Sequence, residues 1–90
     1  MEWHFDDNMP IYTQLVYQIK FAIVSGELSP GERMAGVRDL AADAGVNPNT
    51  MQRALAELET RGLLETQRTA GRTVTGDVEK IAQTRRALAQ

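Results

Sequence analysis

Cysteine is absent from the chain and histidine occurs once, at His4. Disulfides and thiolate metal sites are thereby excluded, and one imidazole among scattered carboxylates gives no metal-ligand spacing. Long apolar runs are missing too, so no segment reaches the roughly 20 residues that span a bilayer. The opening MEWHFDDNMP carries acids where a secretory leader would carry lysines. A cytoplasmic protein held together by packing alone is expected. At 90 residues and 42% apolar content the chain can build one core, with little room left for a catalytic cleft. The reading is therefore of a non-enzyme that needs no cofactor.

Excess positive charge is also lacking: the net charge is −2, which on its own argues against a nucleic-acid partner. What is present is a series of basic residues in the middle of the chain, Arg33, Arg38, Arg53, Arg61, Arg68 and Arg72, with no lysine among them. Arginine is the residue suited to bidentate recognition of guanine and phosphate, so placement can offset the overall balance.

Residues 1–9 hold Trp3 and Phe5 in brief alternation, which suits a short strand or an ordered arm. The spacing of Tyr12, Leu15, Val16, Ile19, Ala22 and Ile23 predicts a first helix from Pro10 to Ser25, closed by Gly26. Tyr17, Phe21 and Val24 form a second apolar stripe, roughly opposite the first. Either Trp3 and Phe5 fold over it, or it is a dimer contact. GELSPGE then reads as a turn-rich connector with Leu28 as its core contact. Val37, Leu40, Ala41 and Ala44 mark a short second helix ending at Gly45. Asn47 is a good N-cap for a third helix, with Pro48 in its first turn and Met51, Ala54, Leu55 and Leu58 on its buried stripe. Residues 63–67 and 72–75 flank the turn 68–71 as a hairpin, with Leu64 and Val74 facing the core. From Asp77 a fourth helix begins, with Val78, Ile81, Ala82, Leu88 and Ala89 on its apolar face.

Leu40, Ala41, Gly45, Val46 and Met51 stand at the offsets of a helix-turn-helix. Ala41 lets the third helix approach, Gly45 supplies a positive-φ turn, and Val46 and Met51 fill the gap. The fold class is therefore mainly α with a small β-hairpin: a winged helix-turn-helix over residues 1–76, followed at 77–90 by the start of a C-terminal helix that reads as cut off partway. In such a motif the start of the third helix enters the major groove. Asn47, Asn49, Thr50, Gln52 and Arg53 cluster there; Asn and Gln pair with adenine, Thr touches a thymine methyl, and Arg grips guanine or phosphate. The alternative for these residues is a solvated helix face, with Asn47 as a cap only. Arg38 lies near the start of the second helix, where the helix dipole disfavours a cation, which invites a contact with DNA or with an acid such as Asp39 or Asp43. Arg68 and Arg72 flank the wing turn and could straddle the DNA backbone, enter the minor groove, or serve solubility alone.

The stretches PIYTQLVYQIKFAIVSGELSPGERM and VRDLAADAGVNPNTMQRALAELETRGLLETQRTAGRTV resemble the N-terminal domain of GntR-family transcriptional regulators. The PIY-x-Q opening, the NPNT-x-x-RAL helix and the tail VTGD are similar to the small YtrA-type subfamily. The resemblance implies operator contact through Arg38, the segment Asn47 to Arg53 and the wing glycine Gly71. It further implies a repressor bound as a homodimer to a near-palindromic double-stranded operator, and a C-terminal part that dimerises and answers a small-molecule effector, with no membrane partner. Three positions depart from the pattern: Gly36 stands where serine is usual before Val37-Arg38, and Pro48 and Gln52 stand where some branches carry arginine. Base preference therefore does not carry over from those branches. Two rival readings are the DNA-binding head of a longer chain, with an effector-binding or aminotransferase-like domain, and a winged helix that binds protein instead of DNA.

Overall fold

The computed structural model describes residues 1–88, and its elements run α1 (Ile11–Ser25), α2 (Val37–Ala44), α3 (Pro48–Thr60), β1 (Leu64–Gln67), β2 (Gly71–Val74) and α4 (Val78–Leu88). The winged helix-turn-helix expected from the pattern is present, with helix ends within a residue or two of those expected. Pro10 sits just outside α1, its carbonyl accepting the first helical hydrogen bond from the Gln14 amide at 3.2 Å. Proline suits that position because its missing N–H would have no helical partner there.

Leu15, Ile19 and Ile23 of α1 are buried with Met51, Leu55 and Leu58 of α3, and α1 packs chiefly against α3. Leu63, Leu64 and Val74 of the hairpin close the core from one side and Ile81 of α4 from another. Arg85 of α4 donates its Nε–H to the Val24 carbonyl at 2.9 Å, satisfying one of the open acceptors at the end of α1. Val78 does not join α4's buried face as expected: it is 67% exposed, and only Ile81 of that helix is fully buried, because α4 meets α1 with a narrow stripe. Ala89, also assigned to that face, lies outside the described residues.

β1 and β2 pair antiparallel, with Leu64 opposite Val74 and Gln67 opposite Gly71. Three residues, 68–70, turn the hairpin, and Gly71 follows at φ +76°, a left-handed conformation that glycine adopts without strain. The connector before α2 also holds a third short extended segment. The Val74 amide donates to the Glu32 carbonyl at 2.8 Å, the Met34 amide donates to the Arg72 carbonyl at 2.9 Å, and Arg33 bridges Thr73. Met34 is the buried side chain of this segment, whereas Leu28 is half-buried.

Residues 1–9 form an ordered arm and no strand. Two glutamines one turn apart on α1 take the place of a partner strand. Gln18 accepts from the His4 amide at 3.1 Å and donates to the His4 carbonyl at 2.7 Å. Gln14 accepts from the Asp6 amide at 3.0 Å and donates to the carbonyls of Asp6 and Met9 at 2.9 and 2.7 Å. Trp3 and Phe5 stack on one another at a centroid distance of 6.1 Å and pack against the core edge. They do not cover the second stripe of α1: Tyr17 and Phe21 stay 51% and 53% exposed, stacked together on the wall of an open groove of about 540 Å³ beside the arm. Val24, placed on that stripe by spacing, is buried in the core instead.

Candidate nucleic-acid interface

α2 ends at Gly45, which at φ +72° returns its amide to the carbonyls of Ala41 and Ala42. The next amide, Val46, also donates to the Ala41 carbonyl, at 2.9 Å. This tight exit sets α3 directly across α2. Ala41 and Met51 are fully buried at the crossing and Leu40 and Val46 half-buried, so all five offsets read from the sequence are occupied as the motif requires. A larger side chain at Ala41 would force the helices apart, since packed interiors have little free volume.

Asn47 caps α3: its Oδ1 accepts from the Asn49 amide at 2.7 Å. That oxygen is committed to the helix, which leaves the side-chain NH2 to meet a ligand. Asn49, Gln52 and Arg53 are exposed, and their spacing of three and four places them on one outward face in the first two turns. Thr50 is half-buried beside them. Between Gly45 and Ala56 the sole charged residue is Arg53. The acids of α3 come later, and each is occupied. Glu57 pairs with Arg61 at 2.8 Å, and Glu59 accepts from Arg72 Nε and from the Thr66 hydroxyl.

The arginine series therefore divides. Arg61 and Arg72 are ion-paired, whereas Arg33, Arg38, Arg53 and Arg68 have no acidic partner among the described residues. Arg38 is exposed in the first turn of α2, whose cap is Gly36 without a side-chain bond. Neither acid considered as its partner engages it: Asp43 Oδ2 accepts instead from Trp3 Nε1 at 2.8 Å. Arg68 stands exposed at the tip of the wing. Arg33, on the short segment beside β2, is an exposed arginine that the sequence reading counted but assigned no role. Among the described residues no hydrogen bond ties Arg38, Arg53 and Arg68 to one another; α2, α3 and the wing present them separately. A chain of net charge −2 can thus leave the start of α3 locally cationic, because both acids of that helix are paired within the fold, while Asp39 beside Arg38 has no ion-pair partner among the described residues.

Arg72 differs from the outward residue that the sequence suggested. It is half-buried, and its bond to Glu59 pins the base of the wing to the last turns of α3. The hydrogen bond from Arg72, and then that from Thr66, holds the Glu59 carboxyl below its ordinary range, outweighing the opposing effect of burial. A carboxylate depressed in the folded state contributes stability above its unfolded pKa, and that stability is lost as pH falls through the folded pKa. Thermal unfolding followed across pH should therefore show the parent chain melting higher than Glu59→Gln at neutral pH. The two curves should converge once the pH drops below the usual carboxylate range, and a pH-independent gap would show that charge on Glu59 is irrelevant.

No helix among the described residues is long and apolar enough to cross a membrane. The model of the family described as bacterial regulatory proteins, gntR family, matches residues 11–74, from the start of α1 to the end of β2. The HTH-type transcriptional repressor YtrA of Bacillus subtilis is 41% identical over 64 residues, which cover 71% of this chain and 49% of YtrA. The matched residues span 59% of the length of one curated relative, the HTH-type transcriptional regulator YhcF of Bacillus subtilis, and 49% of YtrA. Among solved structures, a GntR family transcriptional regulator from Listeria monocytogenes superposes with a TM-score of 0.89 at 42% identity, covering 94% of this chain and 75% of that one. The DNA-binding domain of AraR, solved in complex with operator ORX1, superposes with a TM-score of 0.73 at 25% identity, covering 83% of this chain and 96% of that one. With its helix-turn-helix, its wing and these relatives, the chain belongs to the GntR family of bacterial regulatory proteins.

Proposed function

We propose that this chain is the sequence-reading part of a transcriptional repressor, binding a near-palindromic double-stranded operator as a homodimer in the cytoplasm and catalysing no reaction. The observation that carries this reading is the outward face of α3, where Asn49, Gln52 and Arg53 project from a helix-turn-helix with no acid competing for the arginine. These side chains would meet base edges in the major groove, where amides pair with adenine and arginine with guanine. Asn47 and Thr50 flank them. Arg38 and Arg68 would hold the phosphates on either side and set the register. Gly71 lets the wing turn closely, and Arg72, through Glu59, keeps the wing at a fixed angle to the reading helix. AraR, whose domain shares the fold, is seen on its operator, which supports the same mode of approach here.

A single reading helix covers only a few base pairs, so a two-fold dimer is the natural way to lengthen the site. We assign dimerisation to the segment opened by α4, together with parts of the protein beyond the matched region, and an effector response to the same C-terminal part. Arg68→Ala tests the wing's role. Binding should weaken by a similar factor on every duplex, and the slope of log affinity against log salt should flatten by about one, as expected for one lost phosphate contact. Loss confined to one preferred duplex would assign Arg68 to base reading instead.

A further inference from the structure

Tyr12 was read from the sequence as one member of the buried stripe of α1, yet it is only half-buried, while the other members of that stripe are fully buried. Its ring lies under the Arg53 guanidinium, with the central carbon 4.9 Å from the ring centroid. The comparable pair on the opposite side of α1, Lys20 over Tyr17, is looser at 5.9 Å and is built on a ring that stays exposed. From these contacts we propose that Tyr12 is a positioning residue for DNA recognition, holding Arg53 in place on the reading helix. The inference rests on the function proposed above and extends it to a residue outside the helix-turn-helix.

The chemistry favours a ring over any other partner at this point. A carboxylate would bind the guanidinium through its N–H edge, neutralise it and compete with guanine or phosphate. An aromatic ring attracts the cation through the flat face, and the N–H donors radiate in the plane, so they remain available to a second partner. No hydrogen bond or ion pair of the Arg53 side chain exists among the described residues. Holding the side chain against the ring before binding removes part of the rotamer entropy that an arginine otherwise loses on contact. Tyr12 stands in the first turn of α1, and α1 packs against α3, so the ring is fixed by the core. The Tyr12 hydroxyl has no hydrogen-bond partner among the described residues, which makes the ring face the working part.

The test compares Tyr12→Phe, which keeps the ring, with Tyr12→Leu, which keeps apolar bulk and removes it. Each is made in the parent chain and in Arg53→Ala. The probes are a duplex that the parent chain enriches from a randomised pool and a scrambled duplex of equal composition. Tyr12→Leu should weaken binding to the enriched duplex by about fivefold, the scale of one partly desolvated cation–π contact, and leave the scrambled duplex within about twofold. Tyr12→Phe should bind as the parent does, and in the Arg53→Ala background Tyr12→Leu should have no further effect. In the free protein, Arg53 methylene proton resonances should be shifted upfield by the ring in the parent and Tyr12→Phe, and return toward ordinary values in Tyr12→Leu. Resonances that ignore Tyr12→Leu, or a loss that persists in Arg53→Ala or falls equally on both duplexes, would overturn the proposal by itself. If the parent chain enriched no duplex at all, the functional reading would fall and carry the proposal with it, whatever the resonances showed.

Discussion

Arg38→Ala is expected to cut affinity for every duplex by about 10- to 150-fold, the equivalent of about 1.5–3 kcal/mol for one charge-assisted contact to phosphate, while the protein melts no lower than the parent. The two halves of this expectation come from the same fact. Arg38 is exposed in the first turn of α2, at the positive end of the helix dipole, and has no acidic partner among the described residues. A cation there is unfavourable to the fold by a few tenths of a kcal/mol, up to about 1. Removing it should therefore leave the thermal midpoint unchanged or slightly raised. A residue kept only for the fold would do the reverse, so parallel melting and binding titrations separate the roles. Loss of stability with intact binding would remove Arg38 from the interface.

Leu55→Ala should destabilise the fold by about 2–5 kcal/mol, the range for truncating a fully buried leucine. For a domain of this size that lowers the melting temperature by roughly 4–8 °C per kcal/mol. Leu55 is 0% exposed, on the face of α3 that packs against α1, opposite the outward Asn49, Gln52 and Arg53. A cavity there removes contacts from both helices, and a domain of roughly 90 residues has only about 5–13 kcal/mol in total to lose. Urea unfolding of Leu55→Ala beside Gln52→Ala checks the assignment of faces. Gln52→Ala should unfold with the parent. Equal midpoints for Leu55→Ala and the parent would mean that α3 is not seated as described.

Most of the fold was legible because the helices are written twice, by apolar spacing and by punctuation. Gly26 and Gly45 stop α1 and α2, and Asn47-Pro48 starts α3 as the caps predict. The wing was legible from the turn residues expected at 68–71; the loop itself is 68–70, and Gly71 opens β2 in the left-handed conformation that such a short turn calls for. What escaped the sequence depends on partners distant in the chain. Residues 32–34 pair with β2, but they sit in a run of turn-forming residues and contribute a single buried side chain, Met34, so no alternation marks them. The arm was open to two readings because its hydrogen bonds come from the side chains of Gln14 and Gln18, which no backbone pattern announces. Helical spacing assigned Val24 to the outer stripe and Val78 to the inner one, and the position of α4 across the end of α1 reversed both.

The candidate site was legible as a list of residue types and offsets, less so as a set of roles. Asn47 is a cap as well as a candidate contact, and Arg72 is the partner of Glu59. The sequence marks the arginines alike. Only the fold separates the paired Arg61 and Arg72 from the unpaired Arg33, Arg38, Arg53 and Arg68. That division also resolves the tension between a net charge of −2 and a phosphate-rich partner, since what a duplex meets is the local face.

The central claim is that this face reads a DNA sequence. Fluorescence anisotropy of the 90-residue chain, titrated against its enriched duplex and a scrambled one at two salt concentrations, tests it most directly. The account predicts tighter binding to the enriched duplex, falling steeply as salt is raised, with the preference between duplexes retained. Equal affinity for both duplexes, or no binding to either even at low salt, would contradict it.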